Sequence, residues 1–154
     1  LITAVDTNVL YDILLRDPRH LGTSRELLDR ARLEGALIVC EVVLAELAAA
    51  LPSGEESAFL RSTGLRLVRS NPEALALAGR KWRDHRAGGP TGLQCNSCGK
   101  RTELTCVHCG AGASMRQHLI ADFLIGAHGL NHADRLLTRD RRYYATYFPD
   151  LTLM

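Results

Sequence analysis

The sequence predicts an α/β fold: a parallel sheet with helices on both faces. Three observations predict it. Short apolar runs recur at residues 1–5, 36–40, 65–68 and 135–138. Stretches of helical periodicity separate them. No two of these runs are joined by a hairpin-length turn, so neighbouring strands connect through helices, which is the pattern of a parallel sheet.

Each element follows from local chemistry. Residues 1–5 read as a buried strand, and Thr7 and Asn8 offer capping side chains to a helix over 9–15 that Pro18 stops. Residues 24–33 carry Leu27, Leu28, Ala31 and Leu33 at helical spacing, and Gly35 ends that run. A strand over 36–40 leads into a helix over 42–51, closed by Pro52, and then a helix over 54–61. After the strand at 65–68, Asn71-Pro72-Glu73 combines a cap, a first-position proline and a first-turn acid. The helix it opens runs to about residue 86, with Leu75, Ala78 and Trp82 at core spacing. Helical periodicity resumes over 115–129, residues 135–138 form a fourth strand, and 151–153 offer a fifth.

A chain of 154 residues suits one domain with a real core. No apolar stretch is long enough to cross a bilayer, and no basic-then-apolar signal segment opens the sequence, so the reading is a cytoplasmic protein with no membrane partner. Charge is unevenly spread. Residues 1–79 hold 8 Lys/Arg against 11 Asp/Glu, whereas residues 80–142 hold 11 against 5. That basic half suits a polyanion, although a solvated helix face gives the same count.

Four acids stand in otherwise apolar surroundings. Asp6 ends the first strand, Glu46 interrupts 42–48, Asp122 interrupts 119–125, and Asp140 follows the fourth strand. Desolvating a lone carboxylate costs several kcal/mol. Asp6 and Asp140 fall just past the carboxyl ends of strands, where open parallel sheets bind ligands. Two carboxylates 4 Å apart repel by roughly 4 kcal/mol at an effective dielectric of 20. A shared cation relieves that repulsion, and an all-oxygen set favours Mg²⁺ or Mn²⁺ over zinc. Taken singly, each acid has a plainer role. Asp6 would cap a helix, Glu46 would pair with an arginine, Asp122 would face solvent and Asp140 would sit in a turn. Arg139 would meet a phosphate or a surface acid. Asp12 and Asp134 are outer acids, with Asp134 in the turn before the fourth strand. His128 and His132 read as packing residues.

Residues 91–113 break the pattern, with almost no large apolar side chains and four of the five cysteines. Cys95, Cys98, Cys106 and Cys109 form C-x₂-C-x₇-C-x₂-C, two knuckles each followed by glycine. Four thiolates in this spacing make a closed tetrahedral zinc site, here a small ribbon inserted in the domain. Two disulfides are the alternative, disfavoured in a cytosolic protein. Lys100 and Arg101 would stand at the hairpin tip, in reach of RNA. Cys40 reads as a buried strand residue.

The motifs Asp6-Thr7-Asn8-Val9-Leu10, Ala45-Glu46-Leu47, the run from Asp122 through His128, and Leu136-Leu137-Thr138-Arg139-Asp140 resemble, in order, those of PIN-domain nucleases, especially the VapC-type toxins. The resemblance spans about residues 2–90 and 114–153; the inserted ribbon is foreign to ordinary VapC-type toxins. It implies a three-layer α/β/α sandwich formed by residues 1–90 and 114–154, with 91–113 as the insertion. It also implies a metal-dependent endoribonuclease acting on RNA, a homodimer and a small antitoxin partner. Asp6, Glu46, Asp122 and Asp140 match the family's acidic positions, and Asn8 and Thr138 its supporting ones. Ribosome-assembly PIN nucleases that pair the fold with a zinc ribbon are a second enzyme class consistent with these residues. A non-catalytic RNA- or protein-binding module is the third reading.

Overall fold

The computed structural model describes residues 1–88, 93–94, 101–102, 104–110, 112–113 and 120–154. Cys95, Cys98, Lys100 and residues 115–119 of the expected helix lie outside them.

Four strands form the main sheet: β1 (Ile2–Val5), β2 (Ala36–Val39), β3 (Leu65–Leu67) and β8 (Arg135–Leu137), in the order β3-β2-β1-β8. All three pairings are parallel, with Ala4 opposite both Ile38 and Leu136. The inner strands are apolar because both sheet faces are covered. Ala4, Val5, Leu37, Ile38, Val39, Leu136 and Leu137 are each 2% exposed or less. The expected fifth strand reduces to a single parallel bridge, Leu136 to Leu153. Four two-residue strands, β4 (Leu93–Gln94), β5 (Arg101–Thr102), β6 (Leu104–Thr105) and β7 (Gly112–Ala113), form two antiparallel pairs within the cysteine-bearing segment.

Helices flank the sheet: α1 (Thr7–Leu14), α2 (Leu21–Glu34), α3 (Glu41–Ala50), α4 (Glu56–Thr63), α5 (Pro72–Gly88), α6 (Ile120–His132) and α7 (Arg141–Tyr147). The α5 start behaves as its sequence predicts, with Asn71 Oδ1 accepting from the Ala74 N–H at 2.8 Å. Two expected core positions are wrong. Leu33 is 90% exposed and Leu75 is 46% exposed. Helical spacing finds an apolar face but not its limits. In α2 the buried positions are Ser24, Leu28 and Ala31, and in α5 they are Ala74 and Ala78, with Trp82 half-buried. The expected cap at Thr7–Asn8 also moves, since α1 begins at Thr7.

Helix α6 sits hard against the C-terminal segment. A Cβ on Gly126 would stand 2.4 Å from Phe148 Cε2, so only glycine permits this approach. Phe123 and Phe148 pack with ring centroids 6.4 Å apart. These contacts fix the helix whose first turn carries Asp122.

Candidate functional site

Strand order decides where a site belongs. The chain runs from β1 outward to β2 and β3, then returns to place β8 on the other side of β1. The reversal lies between β1 and β8, so a crevice opens beyond their carboxyl ends. Asp6 follows β1 there, and Thr138, Arg139 and Asp140 follow β8.

Asp6 occupies the N-cap position of α1 yet makes no side-chain cap bond. Its Oδ2 instead accepts from Asn8 Nδ2 and Thr138 Oγ1, both at 2.6 Å. The same hydroxyl accepts from the Asp140 N–H at 3.0 Å, and Asn8 Oδ1 accepts from the Arg139 N–H at 3.2 Å. Asn8 and Thr138 therefore tie the end of β1 to the loop after β8. Asp6 is 5% exposed. Burial raises its pKa to about 6, aided by the Asp122 charge, while hydrogen bonds from Thr138 and Asn8 pull the other way.

Asp122 enters from the first turn of α6, half-buried. Asp140 is exposed at the start of α7, where its Oδ1 accepts from the Tyr143 N–H at 3.3 Å. Its turn-capping role is thus real and coexists with its place at the rim. Tyr143 and Tyr144 are buried beneath the acids. Burial first, then the charge of Asp122, pushes the Tyr143 phenol far above its ordinary range, with Asp140 and Asp6 adding. Burial, followed by Asp6 and Asp122, does the same to Tyr144. Three carboxylates from three elements therefore act on one phenol.

Glu46 lies on α3. It accepts a short hydrogen bond from Thr7 Oγ1, and Tyr11 donates to its backbone carbonyl at 2.6 Å. Thr7, not an arginine, is its partner, and that residue adjoins Asp6. Among the described residues, no three His, Cys, Asp or Glu side chains stand as a ready-made metal cage.

Other candidates resolve elsewhere. Arg139 pairs with buried Asp12 at 2.8 Å, and Ser24 donates to the same carboxylate at 2.5 Å. Asp134 accepts from the Ile2 N–H at 2.6 Å, at the opposite edge of the sheet. Cys40 is buried, which raises its thiol pKa. His128 and His132 stack at 4.6 Å, away from the acids, and His128 Nδ1 meets Ser70 Oγ at 3.1 Å. The sequence reading passed over His85 and Thr7. His85 Nδ1 meets the Tyr147 hydroxyl at 2.6 Å, and its ring lies 5.5 Å from that of Phe123, beside Asp122. No local signal marks either residue, since both partners are distant in sequence.

The PIN domain sequence profile matches residues 3–149, nearly the whole chain. The chain belongs to the PIN-domain family. Solved structures share this PIN fold at low identity. A chain of VapBC2 from Rickettsia felis, bound to a DNA fragment from its promoter, is 17% identical with a TM-score of 0.56, covering 100% of this chain and 98% of that one. VapBC-1 from nontypeable Haemophilus influenzae is 16% identical with a TM-score of 0.58, covering 100% and 97%. FitAcB from Neisseria gonorrhoeae is 17% identical with a TM-score of 0.56, covering 99% and 96%. No curated protein matches this PIN domain significantly.

Proposed function

We propose that this PIN domain is a Mg²⁺- or Mn²⁺-dependent endoribonuclease that cuts RNA phosphodiester bonds, and the toxin of a toxin–antitoxin pair. One observation carries the reading: at the sheet's switch point the Thr138 hydroxyl joins the Asp6 carboxylate to the Asp140 backbone, and the Asp122 charge raises the Asp6 pKa. The fold likeness to VapBC and FitAB chains favours the toxin class and a small antitoxin partner, and the family resemblance adds a homodimer.

The donor set fits a hard cation. Its members are carboxylates from β1, α6 and the loop after β8, with Glu46 at the margin. The Asp122 charge adds to burial in raising the Asp6 pKa, which a bound cation would relieve. Asp6, Asp122, Asp140 and Glu46 would hold the ion. When bound, such an ion polarises a phosphate and acidifies a water. The chain's own residues do the rest. Asn8 and Thr138 hold the Asp6 carboxylate in one orientation, so it does not reorganise as substrate arrives. The phenols of Tyr143 and Tyr144 stay protonated and form a dry floor under the acids. Thr7 keeps Glu46 turned toward α1.

Purified protein is expected to cut RNA with Mg²⁺ or Mn²⁺ and to stop on chelation. Asp6→Asn should lower the rate by about 10³-fold or more while leaving circular dichroism unchanged. Cutting by that variant at the parent rate would remove the assignment. An adjacent small antitoxin gene separates toxin from RNA-processing enzyme, and RNA binding without metal-dependent cutting would mark a non-catalytic module.

Residues 91–113 we take as an inserted zinc ribbon held by Cys95, Cys98, Cys106 and Cys109. The described knuckle supports this. Gly110 N–H donates to the Cys106 carbonyl at 2.8 Å, with Gly110 in the left-handed region at φ 70°. The backbone N–H groups of His108 and then Cys109, and the Cys109 thiol, lower the Cys106 pKa and so favour the thiolate that zinc takes. Elemental analysis of reduced protein should find about one zinc per chain, and zinc-free protein that folds normally would refute the ribbon.

A further inference from the structure

One face of α5 has no part in the acidic site. Gly79, Trp82, Arg83 and Arg86 follow i, i+3, i+4, i+7 spacing and line an open groove of about 630 Å³, closed on the other side by Ala87 and by Ile120 of α6. Trp82 is half-buried, and the Arg86 guanidinium lies over its ring, 5.0 Å from the centroid. A Cβ built on Gly79 meets nothing within 4 Å, so packing does not demand glycine here, although glycine inside a helix costs about 1 kcal/mol relative to alanine. The missing side chain keeps the groove open.

Charge points to the occupant. Arg83 and Arg86 line the groove, Arg83 pairing with Asp84 at 3.2 Å on the surface, whereas Lys81 lies over the Phe148 ring. The groove shares α6 with the acidic site. Ile120 opens the helix that bears Asp122, and His85 on α5 reaches Phe123. A flat aromatic ring flanked by guanidinium groups suits a nucleobase with its phosphates, because stacking accepts every base and arginine meets the backbone.

We propose that the Gly79–Trp82–Arg83–Arg86 face of α5 is a stacking subsite for one unpaired base of an RNA strand whose neighbouring phosphodiester lies at the acidic site. The proposal rests on the nuclease reading for its orientation but not for its existence. Trp82 is the single tryptophan of the chain, so its fluorescence reports the groove directly.

Titrating the full-length protein with a single-stranded oligouridylate hexamer, in buffer without added magnesium, should quench that fluorescence to saturation. An abasic strand of equal length should bind without quenching. Gly79→Leu puts a side chain into the groove from an open Cβ position and should abolish quenching while the fold stays intact. Arg86→Ala should weaken binding about tenfold by anisotropy of a labelled strand. Equal quenching by the abasic strand, quenching that survives Gly79→Leu, or no binding at all would overturn the subsite. Quenching by an acidic helical peptide but not by RNA would assign the groove to a protein partner and overturn it too. Absent quenching, with cutting that still depends on Asp6, removes the subsite alone. Clear quenching in a protein whose cutting ignores Asp6 removes the nuclease reading and keeps an RNA groove.

Discussion

Asp6 and His128 are both buried ionisable groups, 5% and 1% exposed, yet their surroundings differ in kind. Burial drives each toward its neutral form, raising Asp6 to about 6 and lowering His128 to about 4. Around Asp6 the further charge is another acid, Asp122. Around His128, the neighbouring His132 adds to the lowering, while Glu41 opposes it. Ser70 joins this pair, its hydroxyl 3.1 Å from Glu41 Oε2 and 3.1 Å from His128 Nδ1. In the first cluster a neighbouring acid adds to the effect of burial, which a bound cation would relieve. The second balances acid against base and holds α6 against the segment after β3. Burial alone does not mark a functional group; the sign of what surrounds it does.

That contrast can be broken in three ways. The largest effect is expected at Asp6. A carboxylate with a raised folded pKa gives stability that is complete below its unfolded value of 3.8 and lost as pH rises through about 6. Above that, in metal-free protein, the ionised group costs about 3 kcal/mol at most. Asp6→Asn should therefore raise the denaturation midpoint of metal-free protein at pH 8 and lose this advantage by pH 4. No gain at pH 8 would mean that the carboxylate is not desolvated. The same change that removes activity thus stabilises the fold.

The next effect belongs to His128 and runs in the opposite direction. Its folded pKa lies below the ordinary value of 6.5, so the unfolded chain binds the extra proton. Stability is complete above pH 6.5 and falls toward pH 4, by about 3 kcal/mol at most. Urea titrations across that window should show the slope, and His128→Gln should flatten it. An unchanged slope would place the titrating group elsewhere. The smallest effect is at Thr138, which touches Asp6 without carrying charge. Thr138→Val should weaken Mg²⁺ affinity about tenfold, measured by calorimetry, and Thr138→Ser should restore it. Loss in Thr138→Ser alone, with Thr138→Val unaffected, would make the methyl group, not the hydroxyl, the important part.

Much of this was legible in sequence because it is local. β1 and β2 are continuous apolar runs, which only strands buried on both faces require. Asn71-Pro72-Glu73 opens a helix by rules that act within one turn. The acids were visible as polar interruptions of apolar runs. What stayed hidden depends on pairings far apart in the chain. Thr7 reads as a helix-start residue, yet its hydroxyl serves Glu46, 39 positions away. Ser24 and Asp12 look like surface residues and are buried because they bond each other and Arg139. Leu33 and Leu75 share the spacing of core residues but lie beyond the edge of what the sheet covers. Asp6 satisfied a capping rule by position and ignored it in geometry, since Asn8 and Thr138 compete for the same oxygen.

The tight seat of Gly126 on Phe148 has its own consequence. A single methyl added there has no room, so the helix must lift or slide, and Asp122 travels with it one turn away. Inactivating changes are therefore expected at a position that holds no charge and touches no substrate. A screen for loss of activity would find it beside the acids themselves.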